Sequence, residues 1–322
     1  QVAMAAKKYI DAIQMFLQKG NSSKNFSSIV NTCRVLKADE GKVSVEFEVN
    51  NRMTNHFGTL HGGCSATMVD EITTGALVAT PRGMPGVSVD LHMIYLALAN
   101  VGDTIQLDAE IIREGKSMAF TKASLYRKAD MTLLATGLHT VVLPSQVKFR
   151  KEDAKEIGEA KSVQQVISPV VPSSAVNPDH YRTMLRFEKM DRDESTFSGR
   201  AWNAHLTSVD ERKLSAEFVV GEHQVQPFGT LHGGCTATMI DYFTCASLVV
   251  ATGRPAVSIN LNMTYMNPAP LGTLVRIDAE VVKIGKSLAY TKAELTRVDN
   301  GALVASAKHT MAFNKRVVIR EE

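Results

Sequence analysis

The spacing of apolar positions changes several times along the chain, and each change marks an element. Tyr9, Ile10, Ile13, Phe16 and Leu17 recur at helical spacing with Gly20 behind them, which predicts an amphipathic helix over residues 3–19. Val43, Val45, Phe47 and Val49 then alternate with Lys42, Ser44, Glu46 and Glu48, the period of a half-buried strand. The next stretch is apolar without a stripe. From Met53 to Pro81 only Asp70 and Glu71 carry formal charge, and Ala66, Met68, Val69, Ile72, Ala76, Leu77 and Val78 fill much of the remainder. A helix that is apolar on nearly every face is a buried helix. Strands follow at 87–98, at 104–113, where Ile105, Leu107, Ala109 and Ile111 alternate with polar neighbours, at 118–127 and at 132–143. Turns at Glu114-Gly115-Lys116 and Lys128-Ala129-Asp130 join them into a meander. One long buried helix followed by antiparallel strands is an α+β pattern, with the sheet curled around the helix.

The whole order then recurs. Gly58-Thr-Leu-His-Gly-Gly-Cys-Ser-Ala-Thr-Met-Val-Asp70 returns as Gly229-Thr-Leu-His-Gly-Gly-Cys-Thr-Ala-Thr-Met-Ile-Asp241, identical at eleven of thirteen positions. A match of that length identifies an internal duplication. Asp179 to Met190 is the counterpart of the first helix, with Phe187 matching Phe16, and residues 213–220 repeat the first strand more loosely. The expected division is one copy over 1–145, a connector over 146–178 and a second copy over 179–322. The connector opens with a charge-rich run, Lys148 to Lys161, and continues Pro- and Ser-rich from Ser168 to Pro178, which reads as a solvated tether.

Composition narrows the function without naming it. A length of 322 residues suits about two domains. The net charge of +3 gives no electrostatic case for nucleic acid, and no run of eighteen apolar residues predicts a membrane span. The sequence starts at Gln1 without the basic start and apolar core of a secretory leader. Cys33, Cys64, Cys235 and Cys245 show no paired spacing, so a reducing compartment is expected, the cytoplasm first and the mitochondrial matrix second. The chain has neither a Gly-x-Ser-x-Gly elbow nor paired His or Cys spacing, which argues against a serine hydrolase and against a metal site.

The repeated stretch carries the chemistry. A carboxylate inside an apolar helix is costly unless something pairs with it, and here Asp recurs at one offset from His-Gly-Gly. Gly62 and Asp70 stand eight residues apart, roughly 12 Å along one helix. Groups that act on one substrate atom must come within roughly 3 Å of it, so Asp70 cannot work with the amide of its own Gly62. Two such helices packed antiparallel bring the start of one beside the third turn of the other, and the duplication supplies both. A backbone N–H at a helix start is a ready donor to a carbonyl oxygen, and a carboxylate serves as general base or nucleophile.

Asn55-x-x-Gly-Thr-Leu-His61-Gly62-Gly63, Ala-Thr-x-x-Asp70, Gly86-Val-Ser88-Val-Asp90, Gly115-Lys-Ser-x-Ala-Phe120 and His139-Thr140 occur in that order. Copy two has His232-Gly233-Gly234, Asp241, Val257-Ser258-Ile259, Tyr265, Gly285-Lys-Ser-x-Ala-Tyr290 and His309-Thr310. This set resembles the hotdog-fold acyl-CoA thioesterases of the phenylacetyl-CoA thioesterase (PaaI-like) branch, over nearly the whole chain except the connector. The resemblance implies a double hotdog in one chain and hydrolysis of a fatty (medium- or long-chain) or aryl acyl-CoA. It assigns Asp70 and Asp241 to water or direct attack and the Gly62 and Gly233 amides to the thioester carbonyl. His61 and His232 stand beside those glycines, Ser88 and Ser258 position the water or the Asp, and Asn55 lies near the carboxylate of the opposite copy. One site then joins Asn55, His61 and Gly62 with Asp241 and Ser258. The other joins Gln226, His232 and Gly233 with Asp70 and Ser88, with Gln226 in place of the expected Asn and Pro227 after it. The segment Leu96-Ala-Leu-Ala-Asn100 also departs from Met266-Asn-Pro-Ala-Pro270 in copy two.

For CoA binding the resemblance points to the hairpin turns, with Arg113, Lys116 and Ser117 in copy one and Lys283, Lys286 and Ser287 in copy two, together with Tyr95 and Tyr265. No cofactor is expected beyond the CoA carried by the substrate. The acyl group is expected between the two helices, against Met68, Ile72, Met239 and Phe243. Hotdog pairs associate further in the family, so a homodimer of double-hotdog chains is expected. A hotdog hydratase or dehydratase and a non-catalytic acyl-CoA sensor are the competing readings.

Overall fold

A computed structural model describes residues 2–22, 26–143, 178–191, 197–201 and 204–313. The connector lies almost wholly outside these residues. Copy one comprises α1 (Val2–Ser22), β1 (Arg34–Asp39), β2 (Lys42–Glu48), α2 (Gly62–Val78), β3 (Val87–Tyr95), β4 (Thr104–Glu114), β5 (Met118–Arg127) and β6 (Thr132–Val142). Copy two repeats this as α3 (Pro178–Asp191), the short α4 (Phe197–Ala201), β7 (His205–Val209), β8 (Lys213–Val219), α5 (Gly233–Thr252), β9 (Ala256–Tyr265), β10 (Leu274–Ile284), β11 (Leu288–Arg297) and β12 (Leu303–Phe313).

The strands form one twelve-stranded sheet in the order β1-β2-β4-β5-β6-β3-β9-β12-β11-β10-β8-β7. The two copies meet at its centre, where β3 and β9 pair antiparallel from Asp90–Thr264 to Ile94–Asn260. This is the expected α+β double hotdog, and the copies share one sheet rather than standing apart. In β2 the alternation works as read: Val43, Val45 and Phe47 are buried, each such apolar side chain contributing about 1.5–3 kcal/mol. The edge strands β1 and β7 were not expected, because Arg34–Asp39 and His205–Val209 lack a clean alternation. Each is recruited by its neighbour, β2 or β8.

The sheet wraps α2 and α5, which cross antiparallel. By length and composition α5 is apolar enough to cross a membrane, the only described helix that is, and here it is almost wholly enclosed. Close approach of the pair depends on the second glycine of each motif. A Cβ on Gly63 would stand 2.6 Å from Thr238 Cα, and one on Gly234 would stand 2.6 Å from Thr67 Oγ1. Met68, Ile72, Met239 and Phe243 are fully enclosed core residues at this layer and line none of the larger cavities. The expectation that they hold the acyl group is corrected: the two helices meet too closely to leave space between them. All four cysteines are free thiols, with Cys64 and Cys235 buried in the helix pair.

Candidate active sites

Each helix of the pair starts from a histidine. His61 and His232 are the N-caps of α2 and α5, and their Nδ1 atoms accept from the N–H of Gly63 and Gly234 at 2.9 Å. An accepting Nδ1 puts the proton of the neutral ring on Nε2. The same two amides also donate across the helix crossing. Gly63 N–H reaches Asp241 Oδ2 at 3.2 Å, and Gly234 N–H reaches Asp70 Oδ2 at 3.1 Å. Each carboxylate of one copy thus sits at the helix start of the other, as the eight-residue spacing requires.

The second oxygen of each carboxylate is also held. Ser258 Oγ–H donates to Asp241 Oδ1 at 2.7 Å, and Ser88 Oγ–H donates to Asp70 Oδ1 at 3.0 Å. Behind them, His309 and His139 place Nε2 3.4 Å from the same oxygens, and their Nδ1 atoms meet Thr244 and Thr73 hydroxyls at 2.7 Å. Burial pulls both of these imidazoles below the ordinary histidine value, with the aspartates opposing it. In the sequence this histidine pair stands only in a closing motif, His139-Thr140 and His309-Thr310, with nothing to place it behind the carboxylate.

Gly62 and Gly233 are the first residues of their helices, so their N–H groups have no carbonyl partner within the helix. A Cβ on Gly62 would stand 3.0 Å from Asp241 Oδ2, and one on Gly233 would stand 3.1 Å from Asp70 Oδ2. The first glycine of each pair therefore clears the space in front of the carboxylate, while the second makes the helix crossing. Tyr95 and Tyr265 donate their hydroxyls to the carbonyl oxygens of Gly62 and Gly233 at 3.0 Å. Burial, and then the charge of Asp241 for Tyr95 and of Asp70 for Tyr265, pushes these phenols well above their ordinary value, so they remain donors.

Other expected residues are placed less directly. Asn55 and Asp241 line one cavity, but the Asn55 amide closes its own loop. Its Oδ1 accepts from Phe57 N–H at 3.0 Å, and its Nδ2 donates to Thr59 Oγ1 at 3.0 Å. Gln226 keeps the equivalent bond to Thr230 Oγ1 at 2.7 Å, so the extra methylene is absorbed within the loop. Arg113, Lys116, Lys283, Lys286 and Ser287 are exposed at the hairpin tips and Ser117 is half-buried beside them. None of these six lines the cavities at the carboxylates, unlike Tyr95, which sits at the Gly62 loop.

Three further side chains, not expected from the sequence, partner the histidines. His61 Nε2 meets Ser198 Oγ at 2.7 Å. His232 Nε2 meets Glu71 Oε1 at 2.5 Å and Ser27 Oγ at 3.1 Å. Burial lowers the His232 imidazole, but Glu71 and Asp70 outweigh it and the net shift is upward. Glu71 had one visible signal: it is the only formal charge besides Asp70 in its helix, and copy two has Tyr242 there. Ser27 and Ser198 stand in short helical segments with no such mark.

Comparison with known proteins agrees with this architecture. The sequence profile of the family described as "Thioesterase superfamily" matches residues 57–134 and 228–304, once in each copy. Acyl-coenzyme A thioesterase 13 of Homo sapiens is 43% identical over 118 residues, which is 37% of this chain and 84% of that protein. The Mus musculus protein of that name is 41% identical over 115 residues, covering 36% and 82%. Two distant structures support the fold over both copies. A hotdog-fold protein from Alicyclobacillus acidocaldarius is 12% identical with a TM-score of 0.57, covering 90% of this chain and 99% of that one. The tesB protein of Mycobacterium avium subspecies paratuberculosis is 14% identical with a TM-score of 0.55, covering 90% and 99%. The chain therefore belongs to the thioesterase superfamily, as an enzyme with two hotdog units in one polypeptide.

Proposed function

We propose that the chain hydrolyses fatty or aryl acyl-CoA to free acid and CoA at two composite sites, one built on Asp241 and one on Asp70. One observation carries the reading. Oδ2 of each carboxylate lies 3.1–3.2 Å from an amide at the start of the other copy's helix, beside a further glycine amide with no helical partner. In the first site the thioester carbonyl oxygen accepts from Gly62 N–H, where helix polarity favours the negative charge that develops on it. Asp241 takes a proton from water, whose oxygen attacks the carbonyl carbon. The C–S bond then breaks, and the CoA thiolate receives the proton. If Asp241 attacks directly, the C–S bond breaks to give a mixed anhydride that water cleaves. Both routes consume one water. Ser258 holds Asp241 Oδ1 so that Oδ2 faces the glycines. Ser88, Asp70 and Gly233 act alike in the second site.

The exposed cations Arg113, Lys116, Lys283 and Lys286 are suited to the phosphates of CoA. Outward-facing Phe120, Leu138 and Tyr290 remain 43%, 52% and 42% exposed on the sheet, which supports pairing of two chains; light scattering that shows only monomers at micromolar concentration removes this part of the reading.

The test is release of free thiol from a panel of acyl-CoAs by wild type, Asp70→Asn, Asp241→Asn and the double variant. The double variant is expected to lose about 10²–10⁴-fold, the usual contribution of a positioned acid or base. Tight acyl-CoA binding by wild type without thiol release overturns the reading in favour of a sensor. In single-turnover hydrolysis in ¹⁸O water, label in the aspartate identifies the nucleophile route with water attacking the aspartyl carbonyl of the anhydride.

A further inference from the structure

The cavities at the two carboxylates are very unequal. The one reaching Asp70, Ser88, Gln226 and His232 encloses about 680 Å³, and the one reaching Asp241, Ser258, Asn55 and His61 encloses about 80 Å³. The first lies within the usual range of roughly 300–1,000 Å³ for small-molecule sites. The second holds only a few water-sized groups. We infer that the two sites divide acyl groups by length: the Asp70 site takes the long chain, and the Asp241 site takes short acyl groups. This rests on the reading of both sites as thioester-hydrolysing.

The difference has identifiable causes. In copy two the covering helix α3 brings Phe187 onto Tyr242, with ring centroids 5.4 Å apart, and onto His56, also at 5.4 Å. Phe187 and Tyr242 are each only 4% exposed. Together the three rings close the space in front of Asp241. The equivalent residues at the other site are Phe16, Glu71 and Pro227, all of which line the large cavity. There the side chain at the tyrosine position is a carboxylate, and its Oε1 is drawn to His232 Nε2 at 2.5 Å. Pro227 replaces a ring that packs tilted against its neighbour, since His56 lies 3.7 Å from Phe57 by centroid at an interplanar angle of 53°. Phe16 is only half-buried.

The wall of the large cavity fits a hydrocarbon tail. Ala12, Met15 and Phe16 of α1 line it together with Val30, Val78 and Phe228, and Met15 is 59% exposed, so apolar surface there awaits cover. A tail laid along such a wall gains on the order of fourfold in affinity per fully buried methylene. The 80 Å³ cavity supplies no such gain beyond the first few carbons. The substitution of Gln226 for Asn therefore accompanies the roomier site, not a closed one.

Thiol release from butyryl-, decanoyl- and palmitoyl-CoA by Asp70→Asn and Asp241→Asn tests the division. Asp70→Asn is expected to lose palmitoyl turnover at least 100-fold and to keep most butyryl turnover; Asp241→Asn is expected to lose mainly butyryl turnover. Equal fractional losses at every length overturn the inference while leaving hydrolysis intact. Absence of thiol release even from wild type defeats the hydrolytic reading, and the division is then judged by calorimetry with the non-hydrolysable palmityl thioether of CoA. One equivalent per chain, weakened at least tenfold by Ala12→Trp, supports it; two equivalents overturn it. Tyr242→Ala provides the converse test, since it should raise palmitoyl turnover in an Asp70→Asn background.

Discussion

Around the two aspartates the copies match almost atom for atom; around the two imidazoles they do not. Asp70 and Asp241 each accept from one glycine amide and one serine hydroxyl, with a buried histidine behind. One step outward, His61 meets a neutral serine, whereas His232 meets a carboxylate. The matched part is the part in which every contact crosses from one copy to the other or locks a residue that does. A change there must satisfy both helices at once. The covering helices face only one carboxylate each, and that is where Glu71 and Tyr242, or Pro227 and His56, stand at equivalent positions.

The comparison breaks most completely at the helix crossing. Gly63→Ala or Gly234→Ala puts a methyl within 3 Å of a threonine in the facing helix, so either is expected to destabilise the fold by about 3 kcal/mol, the upper part of the usual range for overpacking. Urea unfolding should show similar losses for the two, and both sites should lose activity in either variant.

A smaller effect, confined to one site at a time, is expected from the serines. Ser258→Ala or Ser88→Ala removes one hydrogen bond to a carboxylate, worth about 1.5–3 kcal/mol. Turnover at the affected site should fall roughly 10- to 100-fold, with KM moving less than kcat. A larger change in KM than in kcat contradicts the positioning role.

Glu71→Gln sharpens the contrast because it has no counterpart in copy two. It keeps a hydrogen-bond acceptor for His232 but removes the charge that holds this imidazole up. The His232 titration followed by NMR should move downward. Because its folded value is raised, His232 contributes stability below its unfolded value of about 6.5, and that contribution fades as pH rises through the folded value. The stability gap between wild type and Glu71→Gln should therefore narrow from pH 6 to pH 9.

The smallest effect has the opposite sign. His139 and His309 are held down by burial, so the unfolded chain binds protons below about pH 6.5 that the folded chain refuses. Thermal stability should decline as pH falls from 7 towards 5, and replacing either histidine by Gln should flatten the decline. A decline unaffected by either replacement assigns the acid sensitivity elsewhere.

Much of this was legible in the sequence. The buried helices, the long strands of each copy and the exchange of carboxylates follow from alternation, from the near-chargeless stretch at Met53–Pro81 and from the distance eight helical residues span. What was not legible depends on the approach of distant surfaces. Which of two adjacent glycines meets the carboxylate is decided by the rotation of α2 against α5. The edge strands β1 and β7 form because a neighbour has open hydrogen-bonding groups, not because their own residues alternate. The size of each cavity follows from how α1 and α3 settle, whereas Met68 and Phe243, which read equally well as a lining, are sealed by the close crossing of α2 and α5.

The pairing of β3 with β9 has a consequence for how such a molecule changes over generations. In a symmetric pair of identical chains, any substitution appears at both sites together. Joined in one polypeptide across a shared sheet, each residue is present once, and the two halves always meet their own partner. A substitution at Tyr242 is felt at one carboxylate, and one at Glu71 at the other. Fusion thus turns two copies of one catalyst into two heritable units that can acquire different substrates without separating.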